Sequence, residues 1–381
     1  MPIDRRHLLA GLAATALPLT ARAGTAWDDD FEAFVAKGMK DAQLPGLSVA
    51  MVRGNSVAAR GYGLADIATN RPVTADTIFH IASLSKTVTG TAMIMLFADG
   101  RFGLNDPIAA HLDFPVAHPA FTGTAITFRM LMTHTSGISD KVYYATPAFA
   151  VHGDPQLPLR DFLAGYLSPG GQWYDASGCY GAQPGTAWDY SNVAVALLGY
   201  LAERLGSPLK SLTQDRLFPP LGMKSTSWTY AGLPANRIAT PYDYTSDAPV
   251  ALPPTGYPDW PAGLLRTSAA DFGRFLTIYT TGGKVSGRTY LPPDALKTML
   301  TPGAIPVSAA TGQALIWQVK TAGGRRIAQH TGGDPGASTG VVIDLDRGVT
   351  ALAFANASGN DALGPFFKEL FARLLDRAAN A

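Results

Sequence analysis

The sequence predicts an α/β (α+β) fold: an antiparallel sheet flanked by N- and C-terminal helices, with a mostly helical domain inserted between its two halves. Three observations carry this. A hairpin pattern lies near the start, in LSVAMVR, the turn Gly54–Asn55 and SVAARGYG. Four strand-like runs, ALIWQVK, RRIAQHT, GVVIDLD and VTALAFANA, follow one another from residue 314, joined by turns at 321–324, 334–337 and 346–348. That succession is an antiparallel meander. Between the two strand-rich ends, residues 101 to 290 read as helices and long Pro/Gly-rich loops, so the α/β part covers about 24–100 and 291–381.

The elements follow in order. Asp28 to Gln43 is an amphipathic pattern with acids in its first turn, stopped by Pro45–Gly46. After the hairpin and the short strand TIFHI, a helix begins near Ser83. From Thr87 to Ala98 it has no charge at all, which marks a helix apolar on every side and therefore buried. Asp99–Gly100 ends it. The best helices of the middle section are 193–205, 208–217 and 269–280, the last with Ser268 as N-cap and Asp271 as its capping-box partner. FFKELFARLLDRAA closes the chain as an amphipathic helix.

Residues 1–23 read as a leader rather than as part of the fold. Arg5–Arg6 precedes an apolar run from Leu8 to Leu19, and Ala21-Arg22-Ala23 is an A-x-A cleavage pattern. The run is too short to span a bilayer. DRRHLLA resembles the twin-arginine export signal, which predicts a periplasmic or secreted protein starting at Gly24, with no stable membrane insertion after cleavage. A net charge of +1 with interspersed signs argues against nucleic-acid or membrane-surface binding. The single cysteine, Cys179, cannot form an internal disulfide, so the core must hold the fold.

The chemistry centres on Ser83-Leu84-Ser85-Lys86. A serine and a lysine three residues apart on a helix share one face, which brings an amine to a hydroxyl where no histidine serves as base. A lysine in an apolar helix is costly unless something uses it. Tyr190-Ser191-Asn192 lies at a loop-to-helix junction, and His330-Thr331-Gly332-Gly333 ends a strand-like run. The remaining histidines, 80, 111, 118 and 152, show no metal-binding spacing, and no cofactor motif is present.

Ser-x-x-Lys, Tyr-x-Asn and a Lys/His-Thr-Gly triplet, in that order, resemble the signature of penicillin-recognising serine hydrolases. The chain is similar to the class C β-lactamase and DD-peptidase-like superfamily, which includes esterases and D-amino-acid peptidases. LMTHTSGI (131–138), PLGM (220–223) and PAGLLRTSAADFGRFL (261–276) extend the resemblance. It implies a covalent acyl-enzyme on Ser83, a proton relay through Lys86 and Tyr190, and substrate contacts from Asn192, His330, Thr331 and Gly332. An oxyanion hole would come from the backbone N–H groups of Ser83 and Gly333. Either Lys86 or Tyr190 would be the acylation base. Histidine in place of the triplet lysine points to an esterase or a DD- or D-amino-acid peptidase acting on a small ester, amide or peptide, ahead of a β-lactamase. A non-catalytic penicillin-binding or sensing protein is the alternative of another class, which retention of both Ser83 and Lys86 argues against.

Two serine and histidine patterns compete. Gly336-Ala337-Ser338-Thr339-Gly340 matches a G-x-S-x-G nucleophile elbow, but a strand follows it where the elbow needs a helix. His134-Thr135-Ser136-Gly137 echoes the triplet and reads as a structural loop. Trp173, Tyr174, Tyr180, Tyr257 and Trp260 lie in Gly/Pro-rich stretches, where they either line a pocket or anchor loops.

Overall fold

The first helix, α1 (Asp29–Asp41), is set by its own chemistry: the Asp28 carboxylate accepts from Phe31 N–H at 2.9 Å, and three acids occupy its first turn. This computed structural model describes residues 27–244 and 248–381, so the predicted leader and Gly24 lie outside the described residues. Strands β1 (Gly46–Arg53) and β2 (Ser56–Asp66) form the expected hairpin, with Arg53 opposite Ser56 and Gly54 at φ +55° in the turn. A two-residue strand, β3 (Arg71–Pro72), pairs with the end of β2.

Strand β4 (Ile78–His80) leads through a 3₁₀ turn, Ala82–Leu84, into α2 (Ser85–Ala98). Twelve residues of α2 are buried, as the uncharged run from Thr87 to Ala98 leads one to expect, and Lys86 is among them. Met93, Ile94 and Leu96 each add roughly 1.5–3 kcal/mol by leaving water. The middle section contributes α3 (Asn192–Arg204), whose N-cap Ser191 accepts from Ala194 N–H. Strand β5 (Arg266–Ser268) pairs with β4, and α4 (Ala269–Thr280) follows, capped by Ser268 as expected.

The last third supplies β6 (Pro306–Ser308), β7 (Thr311–Gln313), β8 (Gln318–Ala322), β9 (Arg325–Asp334), β10 (Ala337–Asp344) and β11 (Val349–Ala355), then α5 (Leu363–Asn380). The nine-stranded sheet runs β6-β7-β8-β9-β10-β11-β1-β2-β3. β1 is therefore an interior strand, and Leu47 lies opposite both Tyr62 and Ala355. Alternation then splits β1 between two cores. Leu47, Val49 and Met51 pack with α1 and α5, while Ala50 and Val52 join the core that contains Phe272 and Phe275 of α4.

The sequence reading differs from the structure in three places. Ala314–Trp317 is not a strand: Ile316 adopts φ +70° and gives its N–H to Met132 O, while Gln313 Nε2 donates to the carbonyls of Ala314 and Trp317. The short pair β6–β7 carries too little alternation to be seen in advance. Helix α4, within the stretch read as the helical insert, packs on β1, β2 and β11; a Cβ on Gly273 would lie 2.6 Å from Val57.

Candidate active site

Ser83 sits in the 3₁₀ turn that opens α2, not in its first α-helical turn. The backbone around it is held from both sides. Ile81 N–H donates to Leu265 O at 3.1 Å, Leu265 N–H donates to Ser85 Oγ at 2.9 Å, and Thr339 Oγ1 donates to Ile81 O at 2.9 Å. Ala82 takes φ +47°, a left-handed conformation that costs about 1–3 kcal/mol and turns the next residue out of the strand direction. Strand β9 passes so close that a Cβ on Gly332 would lie 3.0 Å from Ser83 N and 2.4 Å from Thr339 Oγ1. Gly333 has open space on its Cβ side and lines the same cleft as Ser83.

Lys86 is fully buried and joins three chain segments. Its Nζ lies 2.9 Å from Ser83 Oγ, 2.7 Å from Asn192 Oδ1 and 2.8 Å from Ala262 O. Two of these partners are carbonyl oxygens, which only accept. Two N–H bonds are therefore committed, and the remaining tetrahedral position of the nitrogen points at the serine hydroxyl. Lys86 also lies 4.9 Å from the centre of the Tyr190 ring. Tyr190 Oη forms no hydrogen bond among the described residues, and the other side of its ring faces His134, 4.5 Å between centroids.

Asn192 is anchored from below. Buried Asp140 accepts from Asn192 N–H at 2.6 Å, from Val193 N–H at 3.2 Å and from Ser191 Oγ at 2.7 Å, placing a carboxylate on the N-terminus of α3. Burial pushes this carboxyl upward and the three hydrogen bonds pull it back. Asn192 Nδ2 then donates to Tyr144 Oη at 2.7 Å.

Of the triplet, His330 and Thr331 take opposite faces of β9, as strand alternation demands. His330 is buried and its Nδ1–H donates to Thr331 O at 2.8 Å. Burial, reinforced by the Lys86 charge and opposed by the Thr331 hydrogen bond, lowers its pKa to about 3. His330 is thus a neutral imidazole. Thr331 is exposed and lines a groove against Phe367 and Phe371 of α5, outside the Ser83 cleft.

The fold also brings here residues that the sequence marked only as structural or as loop positions. His134, at φ +55°, accepts from Ser191 N–H at Nδ1, and burial keeps it uncharged. Tyr143, Tyr144, Phe149, Tyr257, Asp259 and Asp334 line the cleft of about 280 Å³ in front of Ser83. Tyr143 Oη donates to Asp259 at 2.8 Å, and burial raises the Asp259 pKa to about 7. Their only sequence signal was the aromatic enrichment of Gly/Pro-rich loops, which caught Tyr257 alone among these six. Ser338 lies within β10 and donates to Ala357 O at 2.8 Å; buried Cys179 makes weak contacts with Asp175 N–H and Trp173 O.

A lysine bonded to a serine at the head of a buried helix, between a Tyr-x-Asn turn and a glycine-bearing strand, is the architecture of the penicillin-recognising Ser-x-x-Lys class. The chain belongs to the Beta-lactamase family, whose profile matches residues 31–367. It is 27% identical over 356 residues to the unguisins hydrolase ungD' of Aspergillus campestris, covering 89% of this chain and 63% of that protein. It is 32% identical over 186 residues to the D-alanyl-D-alanine-carboxypeptidase/endopeptidase AmpH of Escherichia coli K12, covering 48% of this chain and 45% of the relative. The chain thus spans less than two thirds of the length of either relative. The octameric penicillin-binding protein homologue of Pyrococcus abyssi shares the fold, with a TM-score of 0.74 at 21% identity over 91% of this chain and 76% of that one.

Proposed function

We propose that this protein is a serine hydrolase that forms a covalent acyl-enzyme on Ser83 and hydrolyses a small ester or amide, in the manner of an esterase or D-amino-acid peptidase. The observation that carries the reading is the position of Lys86. Two positions of the nitrogen are given to Asn192 Oδ1 and Ala262 O, so in the amine form that a base requires, the third would meet Ser83 Oγ, 2.9 Å away, with a lone pair. Lys86 takes the hydroxyl proton as Ser83 attacks the carbonyl carbon. The N–H groups of Ser83 and Gly333 receive the oxyanion. The Tyr190 hydroxyl gives its proton to the leaving group and regains one from Lys86, whose nitrogen lies 4.9 Å from the centre of the Tyr190 ring, and Asn192 orients the acyl side. Water then repeats the sequence on the ester.

Two features support ester or amide hydrolysis over dedicated β-lactam hydrolysis. His330 is uncharged, and Thr331 faces away from the cleft, so neither supplies the cation or hydroxyl expected for a substrate carboxylate. A panel of p-nitrophenyl esters, nitrocefin and D-alanyl peptides, run on wild type and Ser83→Ala, tests the assignment. Activity and fluorophosphonate labelling should both vanish in Ser83→Ala, and equal turnover by the variant would refute it. We further propose export through the Arg5–Arg6 signal, in which case changing both to lysine should hold the precursor in the cytoplasm.

A further inference from the structure

The cleft holds a carboxyl group that the acyl-transfer chemistry does not use. Asp259 lies at the start of the short helix Trp260–Gly263, three residues before the carbonyl that binds Lys86. Its side chain is only 4% exposed, yet it lines the cleft together with Ser83. One oxygen accepts from Tyr143 Oη, and the other accepts no hydrogen bond among the described residues. A buried carboxylate with an open acceptor is unfavourable unless a ligand completes it. Asp334 is the second acid of the cleft, bonded at 2.8 Å to His80 Nε2. Two acids on one cleft oppose each other's ionisation, and a cation between them relieves both.

Among the described residues no cation is bonded to Asp259, and His80 faces Asp334 instead. Lys86 points its nitrogen at Ser83, Asn192 and Ala262, and His330 is neutral. Around Asp259 the cleft presents the rings of Tyr143, Tyr144, Phe149 and Tyr257. Aromatic faces beside a desolvated carboxylate form the environment that binds an organic ammonium, each cation–ring contact adding to the ion pair.

We propose that the cleft selects esters and amides carrying an ammonium group, held by the Asp259 carboxylate against the tyrosine walls, and disfavours substrates carrying a free carboxylate. The inference rests on the Ser83 reading and names its substrate class.

Benzylammonium, benzyl alcohol and phenylacetate, compared as competitive inhibitors of p-nitrophenyl acetate hydrolysis at pH 8, test it. The three probes share a ring and differ in charge. Benzylammonium should bind at least tenfold more tightly than the alcohol, and phenylacetate more weakly than either. Asp259→Asn should reduce the ammonium preference to within about twofold, and Asp334→Asn should narrow it several-fold. Fluorophosphonate labelling of Ser83 reports that each variant is folded. Equal inhibition by ammonium and alcohol in wild type, or a preference that survives in both variants, would overturn the inference while leaving the Ser83 assignment standing. Hydrolysis that persists in Ser83→Ala would remove that assignment and the inference with it.

Discussion

Asp259→Asn should make the protein more stable at pH 8 than wild type, and the gain should disappear in acid. Burial lifts this carboxyl from 3.8 to about 7. At about 1.4 kcal/mol per pKa unit, holding it ionised in the folded state costs about 4 kcal/mol well above neutrality. The sign follows from proton counting. Between pH 3.8 and 7 the folded protein holds this proton while the unfolded chain has released it, so wild-type stability falls as pH rises through that window. Asparagine has no proton to lose and keeps an oxygen for the Tyr143 hydroxyl. His330 works in the opposite sense, since its pKa is lowered from 6.5 to about 3 and stability from it is lost as pH falls through that range. That contribution is common to both proteins and cancels in their difference. Urea unfolding at pH 4 and pH 8 measures the result. The advantage of the variant should grow from under about 1 kcal/mol to about 4 kcal/mol. A difference independent of pH, or one that shrinks as pH rises, would refute the argument that Asp259 is a carboxyl held against its solvation.

Three other outcomes follow from the same geometry. Lys86→Met should abolish turnover and destabilise the fold by about 1–3 kcal/mol, because Asn192 Oδ1 and Ala262 O lose a buried donor; loss of activity with full stability would deny the second part. Gly332→Ala should lower kcat about a hundredfold, since the new methyl group meets Thr339, Ile81 and the Ser83 backbone, whereas Gly333→Ala, with open space, should keep most of its activity. His330→Lys should be destabilised and inactive instead of gaining carboxylate-bearing substrates, because it replaces a buried neutral ring with an ammonium close to Lys86; nitrocefin turnover above wild type would refute this.

The sheet and its flanking helices were legible because their signals are local and periodic. The two strand-like runs about the Gly54–Asn55 turn, the N-cap Ser268, and the uncharged run of α2 each state their own conformation. The elements missed depend on remote partners. Ile316 leaves the strand pattern because Met132 and Gly90 wait for it in the fold, and no neighbour in sequence announces that. In the site, Ser83, Lys86 and Asn192 could be named from spacing and resemblance, and the fold brings them into direct contact. Thr331 was grouped with them by its place in a triplet, but strand alternation turns it to the opposite face. Asp259 and Asp140 were invisible because an aspartate in a loop looks solvated until its surroundings are known.

The bond between Thr339 and Ile81 spans 258 positions of the chain. Strand β9, which crowds the Ser83 backbone, belongs to the last third of the sequence, and β1 acquires its neighbour β11 only when residues 349–355 are in place. Such non-local pairing sets a high contact order and slow closure of the final sheet. The serine and lysine sit at the head of one helix, whereas the strand that completes their surroundings comes from the last third of the chain. The surroundings of the pair depend on that strand, so a chain truncated before it carries the motif without the backbone contacts made by Gly332 and Thr339.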